Sequence, residues 1–177
     1  MTPHAAAPRC RVALVSTGGT IEKTYDELEG VLENKVSVLD LMLSRLQLDG
    51  IEIQRVPLMN KDSLEMTDED HQRIGDTVAR FARSHDGVVV VHGTDRLAVT
   101  GDHLHERFEK KPVPIVLNGA MRPYVMRTTD ALQNLVEALL AVQLAPPGVY
   151  VAMHNKLLAF PGVQKDPVRG TFVRAGS

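Results

Sequence analysis

Apolar and polar positions alternate along this chain in blocks rather than singly. RVALVST (11–17), IEIQRVPL (51–58), GVVVVH (87–92), PIVLN (114–118) and VYVAM (149–153) are short apolar runs bounded by glycine, proline or polar clusters. Runs of that length and β-branched content predict strands, and GVVVVH has the composition of one covered on both faces. Helical periods fill the gaps. SVLDLMLSRLQL (37–48) sets Leu39, Met42, Leu43 and Leu46 on one face, with Ser37 as candidate N-cap. Thr67 and Asp70 form a capping box that opens DEDHQRIGDTVARFARSH. RLAVTGDHLHERF (96–108) is a helix candidate carrying Gly101 within it, and TTDALQNLVEALLAVQ (128–143) is one with a threonine-capped start. Pro146-Pro147-Gly148 stops the last helix, and KLLAFPGV is placed to return as a small hairpin on the fifth strand. Strict alternation of strand and helix implies right-handed parallel crossovers. The fold class expected is α/β, a three-layer, doubly wound, mostly parallel, Rossmann-like sheet.

Length and composition narrow the picture. At 177 residues, 44% hydrophobic and 24% charged, the chain fits one soluble domain, expected over 11–177 behind a flexible tail at 1–10. A formal charge of −2 and only seven Phe and Tyr with no Trp supply neither the basic surface nor the stacking platforms of a nucleic-acid binder. No apolar window is long enough for a membrane span, and MTPHAAAPRC has no secretory pattern, so the expected location is the cytoplasm and no membrane partner is expected. Cys10, the lone cysteine, excludes an internal disulfide and reads as a bystander in the tail.

Candidate chemistry gathers where the strands end. The first runs into Ser16-Thr17-Gly18-Gly19-Thr20, the second leads to Asn60-Lys61-Asp62-Ser63, the third gives His92-Gly93-Thr94-Asp95, and the fourth gives Asn118-Gly119-Ala120-Met121-Arg122-Pro123. In an open parallel sheet ligands bind at the carboxyl ends of strands, so four polar exits favour one shared site over four independent turns. Gly18-Gly19 either makes a tight turn with Thr20 as a cap, or lets a small substrate reach the backbone while Thr20 acts as nucleophile. Tyr25 is either a proton relay to Thr20 or a packed loop anchor. Thr94 and Asp95 suit an ammonium group and an oriented water, and Asp95 is equally an N-cap candidate. Ser63 either holds a substrate carboxylate or begins a turn. His92 is expected to orient its loop rather than to act as a base. No metal site is expected, because HExxH is missing and His103 and His105 do not share a helix face. The phosphate-loop pattern and the GxSxG elbow are also missing.

STGGTIEKTY, NKDSLEMTDED, VVVVHGTDR and PIVLNGAMRPY, in that order and followed by PPGVYVAMHNKLLAFPGVQKD, resemble the bacterial L-asparaginase family of threonine amidohydrolases. The likeness runs from about Arg11 to about Phe172 and is to the N-terminal catalytic domain alone, without the C-terminal domain or any acidic residue it lends. It implies a flavodoxin-like sheet and hydrolysis of L-asparagine to aspartate and ammonia with no cofactor. Thr20 would be the nucleophile, Tyr25 its helper, Ser63 the α-carboxylate ligand, Asp95 the α-ammonium ligand and Thr94 the second threonine. Amides around Gly19 and Gly93 would steady the oxyanion, and a homo-oligomer is implied. The resemblance implies a lysine at position 113, where this chain has Val113; Lys111, on the same strand face roughly 6–7 Å away, is the substitute candidate. Impaired catalysis is expected if no ammonium reaches Thr94. Arg96 follows Asp95 where the family has threonine, which puts a cation beside that carboxylate. Alternatives from the same residues are an aspartate- or asparagine-binding regulator without turnover, or a hydrolase of another small amide such as glutamine. A flavin or nucleotide module would share the architecture but leave TGGTI and HGTD unexplained.

Overall fold

Five parallel strands and one antiparallel strand form the central sheet of the computed structural model, which describes residues 9–34 and 37–176. In chain order the elements are β1 (Cys10–Gly18), β2 (Thr24–Asp26), β3 (Val31–Glu33), α1 (Leu39–Ser44), β4 (Ile51–Lys61), α2 (Asp68–Phe81) and β5 (Gly87–Val91). There follow α3 (Leu97–Arg107), β6 (Pro114–Asn118), α4 (Ala131–Leu144), β7 (Gly148–Met153), β8 (Lys156–Ala159), β9 (Val163–Asp166) and β10 (Thr171–Arg174). The sheet order is β4-β1-β5-β6-β7-β8, so β1 lies between the second and third parallel strands of the sequence. That is the flavodoxin-like order, with its topological switch between β1 and β5.

Burial alternates along the central strands as a doubly wound sheet requires. Ala13, Val15, Val88, Val90, Ile115 and Leu117 face a core completed by α2 and α3 through Ile74, Val78, Leu97 and Leu104. Val12, Leu14, Val89, Val91 and Val116 face the opposite core, closed by Leu39 and Met42 of α1 and by Leu135 and Leu139 of α4. Each such fully buried aliphatic side chain is worth about 1.5–3 kcal/mol relative to exposure. These two layers fix the directions in which the strand ends point.

Local differences from the sequence expectation have local causes. The capping box is present, with Thr67 Oγ1 accepting from the Asp70 amide and Asp70 accepting from the Thr67 amide. Helix α1 is only six residues long, because its last turn closes through tighter bonds from Arg45 to Met42 and from Leu46 to Leu43. At α4 the N-cap is Asp130, whose carboxylate turns away to the amides of Met121 and Arg122, while the Thr129 hydroxyl accepts from Ala131. Cys10 belongs to β1, paired with Ile51, rather than to a tail; residues 1–8 lie outside the described residues. The return strand β8 lies antiparallel on β7, as the sequence suggests. Two small hairpins, β2–β3 and β9–β10, stand outside the main sheet and have no counterpart in the apolar pattern.

Gly101 has a packing reason that its helix propensity conceals. A Cβ there would lie 2.1 Å from Cζ of Phe160, a ring only 5% exposed. Gly101→Ala gains about 1 kcal/mol in helix propensity and loses about 1–3 kcal/mol by overpacking. Urea denaturation is therefore expected to show a net loss of stability, the opposite sign to the propensity scale.

Candidate active site

Three of the polar exits meet through glycine. Gly19, at φ 84°, approaches Gly93 so closely that a Cβ on it would lie 2.4 Å from the Gly93 Cα. A Cβ on Gly93 would in turn lie 2.5 Å from the Ser63 hydroxyl. The loops after β1, β4 and β5 are thus in backbone contact at the switch point, with no room for a side chain between them. Further bonds lock them: the Thr17 hydroxyl donates to the Val91 carbonyl, the Gly19 amide to Lys61 O, and the His92 amide to Asn118 O. Gly19 therefore cannot offer its own amide to an oxyanion, because Lys61 O already takes it at 2.8 Å.

Thr20 follows directly, partly buried, in a single 3-10 turn, Thr20–Glu22. Ser63 begins a second such turn, capped by Asp62 accepting from the Leu64 amide; its buried hydroxyl accepts from the Arg96 amide. Ion pairs stiffen this rim. Lys23 meets Asp62 at 2.7 Å, Lys61 meets Asp70 at 2.8 Å, and each lysine's hydrogen bond holds its carboxyl below the usual range. Glu22, which no motif singles out, lies buried under the Gly18–Thr20 loop and accepts from the Gly18 amide; burial raises its carboxyl.

The cation at Thr94 comes from Lys165 of β9. Its ammonium donates to the Thr94 hydroxyl at 2.9 Å and to the Asp95 carboxylate at 2.7 Å. Position 113 lies at the amino end of β6, roughly 16 Å along the strand from the carboxyl end, and Val113 packs against the core. The expectations for positions 113 and 111 are thus corrected. Lys111 donates to the carbonyls of His105 and Phe108 at the end of α3, where a cation suits the helix dipole. Arg96 does not neutralise Asp95, since its guanidinium donates to Met66 O. Tyr25 is not gathered in. It sits on β2, 59% exposed. The signal for Lys165 lies in the QKD segment, but its partner is 71 residues away and no periodicity links them.

Behind the HGTD loop runs a buried relay. His92 Nδ1–H donates to Gly93 O, so its neutral Nε2 accepts from the Thr100 hydroxyl, which leaves Thr100 to accept from His71 Nδ1–H. Complete burial pushes the His92 imidazole down to about 4, and burial also lowers His71. His92 orients its loop, as its position suggests.

A site formed at the switch point by TGGT and HGTD, with a lysine on the second threonine, invites comparison with known proteins. Residues 11–169 match the family described as asparaginase, N-terminal. The chain belongs to the asparaginase family. It is 34% identical over 157 residues to the L-asparaginase of Thermococcus kodakarensis, covering 88% of this chain and 47% of that protein. It is 31% identical over 148 residues to a glutamyl-tRNA(Gln) amidotransferase subunit of Methanobrevibacter smithii, covering 82% and 34%. The solved structure of the thermostable L-asparaginase from Thermococcus kodakarensis superposes with a TM-score of 0.83 at 31% identity, over 93% of this chain and 51% of that one. This asparaginase-family chain thus spans about half or less of the length of these relatives.

Stability should follow the relay. An imidazole whose folded value is about 4 rather than 6.5 contributes fully above pH 6.5, and that contribution is lost as pH falls toward 4. The loss from His92 is about 3 kcal/mol. Urea midpoints measured from pH 7.5 to 4.5 are expected to decline below about pH 6.5, before most carboxylates titrate.

Proposed function

We propose that this chain is an L-asparagine amidohydrolase working through a threonine acyl-enzyme. The observation that carries the reading is the Lys165 ammonium shared by Thr94 and Asp95, on a floor where the Gly19 and Gly93 backbones touch. Thr20 Oγ attacks the side-chain amide carbon, its hydroxyl proton is passed to the amide nitrogen, and the C–N bond breaks to release ammonia. The resulting Thr20 ester is cleaved by water, which releases aspartate and restores the hydroxyl. Lys165 and Thr94 supply the proton path, the lysine holding the Thr94 hydroxyl and that hydroxyl in turn activating the water. Amides around Gly93 steady the oxyanion. Ser63 and Asp95 grip the substrate's α-carboxylate and α-ammonium. Tyr25 assists only if the β2–β3 hairpin folds over Thr20. The chemistry needs no metal or organic cofactor, and we extend the reading to a cytoplasmic homo-oligomer.

Binding without turnover draws its support from the valine at 113, and Lys165 removes that support. Glutamine remains the competing substrate. Asparaginases and a glutamyl-tRNA(Gln) amidotransferase subunit stand side by side among the relatives.

Ammonia release from L-asparagine and L-glutamine tests the reading. Thr20→Ala, Thr94→Val and Lys165→Met are each expected to lower kcat by on the order of a hundredfold or more. Lys111→Ala is expected to leave kcat within about twofold, and Val113→Lys to give no gain, since the cation is already supplied from β9. Full turnover by Thr20→Ala would overturn the nucleophile assignment. Unimpaired Lys165→Met would overturn the proton path.

A further inference from the structure

His154 occupies a strained place in the chain. With Asn155 it forms the two-residue turn between paired Met153 and Lys156, and both turn residues have positive φ, 53° and 59°. Such a turn normally selects Asn-Gly, and histidine there is uncommon. Its side chain is bound at both ring nitrogens. Nε2–H donates to the buried Asp130 carboxylate at 2.7 Å, while Nδ1 lies 3.0 Å from the Thr171 hydroxyl. A nucleophile–imidazole–carboxylate order of this kind can mark a hydrolytic triad, but here Asp130 faces structural partners. The amides of Met121 and Arg122 and the Asn134 side chain all donate to that carboxylate, and Asn134 also holds Gly119 O. Burial alone would raise Asp130; the donated bonds from Met121, His154, Arg122 and Asn134 together hold it below the usual range. Asp130 is thus the hub of the loop after β6.

The other end of the chain of bonds reaches the cation. Thr171 is paired across the β9–β10 hairpin with Asp166, next to Lys165. Among the described residues this hairpin makes no strand pair with the main sheet. Its attachments include the buried Val163 and Phe172 side chains, Lys156 donating to Phe172 O, Arg174 donating to Ala159 O, and His154 on Thr171. Of these, His154 alone ties the hairpin to the loop that carries Gly119. We propose that His154 is a positioning residue, a strut from Asp130 to Thr171 that fixes the hairpin's height above the sheet and so sets the Lys165 ammonium on Thr94. The catalytic consequence rests on the amidohydrolase reading; the placement of Lys165 does not.

The test therefore has two arms on the full chain. In the first, the exchange-protected ammonium signal of Lys165 is followed by ¹⁵N NMR without substrate, assigned by its disappearance in Lys165→Met. It is expected in the parent and in Thr171→Ser, and to be lost in Thr171→Val and in His154→Asn. Asparagine tolerates the positive φ, so the second variant spares the turn and stands in if Thr171→Val fails to fold. In the second arm, kcat is expected to fall on the order of tenfold to a hundredfold in the same two variants, with Thr171→Ser restoring it. KM for asparagine is expected to stay level or fall, because Asp95 freed from Lys165 meets the substrate ammonium unopposed. A merely reduced fraction of folded protein would not lower KM. An unchanged Lys165 signal in both variants, or a Thr171→Ser signal as weak as that of Thr171→Val, would overturn the strut. A parent protein without turnover would refute the amidohydrolase reading and leave the NMR arm to decide the strut.

Discussion

Two neighbouring parallel strands, β1 and β5, run in register from Val12 and Gly87 to Ser16 and Val91, and end side by side. Each continues into a loop whose backbone must pass the other with no side chain between. The Gly19–Gly93 contact is the constraint on which everything else in the site is hung. It brings the segment carrying Thr20 against the segment carrying Thr94, and Ser63 fills the remaining side of Gly93. A methyl group at either glycine would push apart the loops that hold the hydroxyls, whatever its effect on local conformational preference.

Around this contact the polar groups are organised in tiers that differ in exposure. His92, Thr100 and His71 are buried and neutral, and their donors run in one direction toward Gly93 O. Such a chain cannot be left half satisfied without the desolvation cost of the orphaned group. The rim ion pairs of Lys23 and Lys61 are more accessible, and individually such pairs contribute little to stability. Their effect is geometric: both hold the loop that ends in Ser63. The Lys165 pair with Asp95 belongs to the accessible tier, and its carboxylate is more exposed than those of the two rim pairs.

Much of this was legible in the sequence, and the reasons for the rest are physical. GVVVVH announced a strand buried on both faces because each of its positions is apolar, and β5 is buried at every residue. The Thr67–Asp70 box was readable because both partners lie within one turn. The convergence of TGGT, KDS and HGTD followed from the rule that strand ends share a side of the sheet. Lys165 escaped because its hairpin carries too few apolar positions to set a period, and its partner is remote in sequence. Position 113 misled for a different reason. It precedes PIVLN and so lies at the amino end of β6, which the carboxyl-end rule already sets apart from the site; the resemblance points there against that rule. Asp130 was hidden behind two threonines that are equally good caps, and only the tertiary arrangement sends its carboxylate to the Met121 and Arg122 amides.

Among the described residues the β9–β10 hairpin is joined to the body of the molecule by side chains, Val163 and Phe172 in the core and Lys156, Arg174 and His154 by hydrogen bonds, rather than by a ladder of strand bonds. The lysine that meets Thr94 and Asp95 is therefore carried by a separately mounted part. If the proposed chemistry holds, gripping a substrate and transforming it draw on different pieces of the chain, and loosening this one mount would silence the second while the sheet, its helices and the Gly19–Gly93 contact stayed whole. On the amidohydrolase reading, loss of turnover would then need no alteration within the parallel sheet at all.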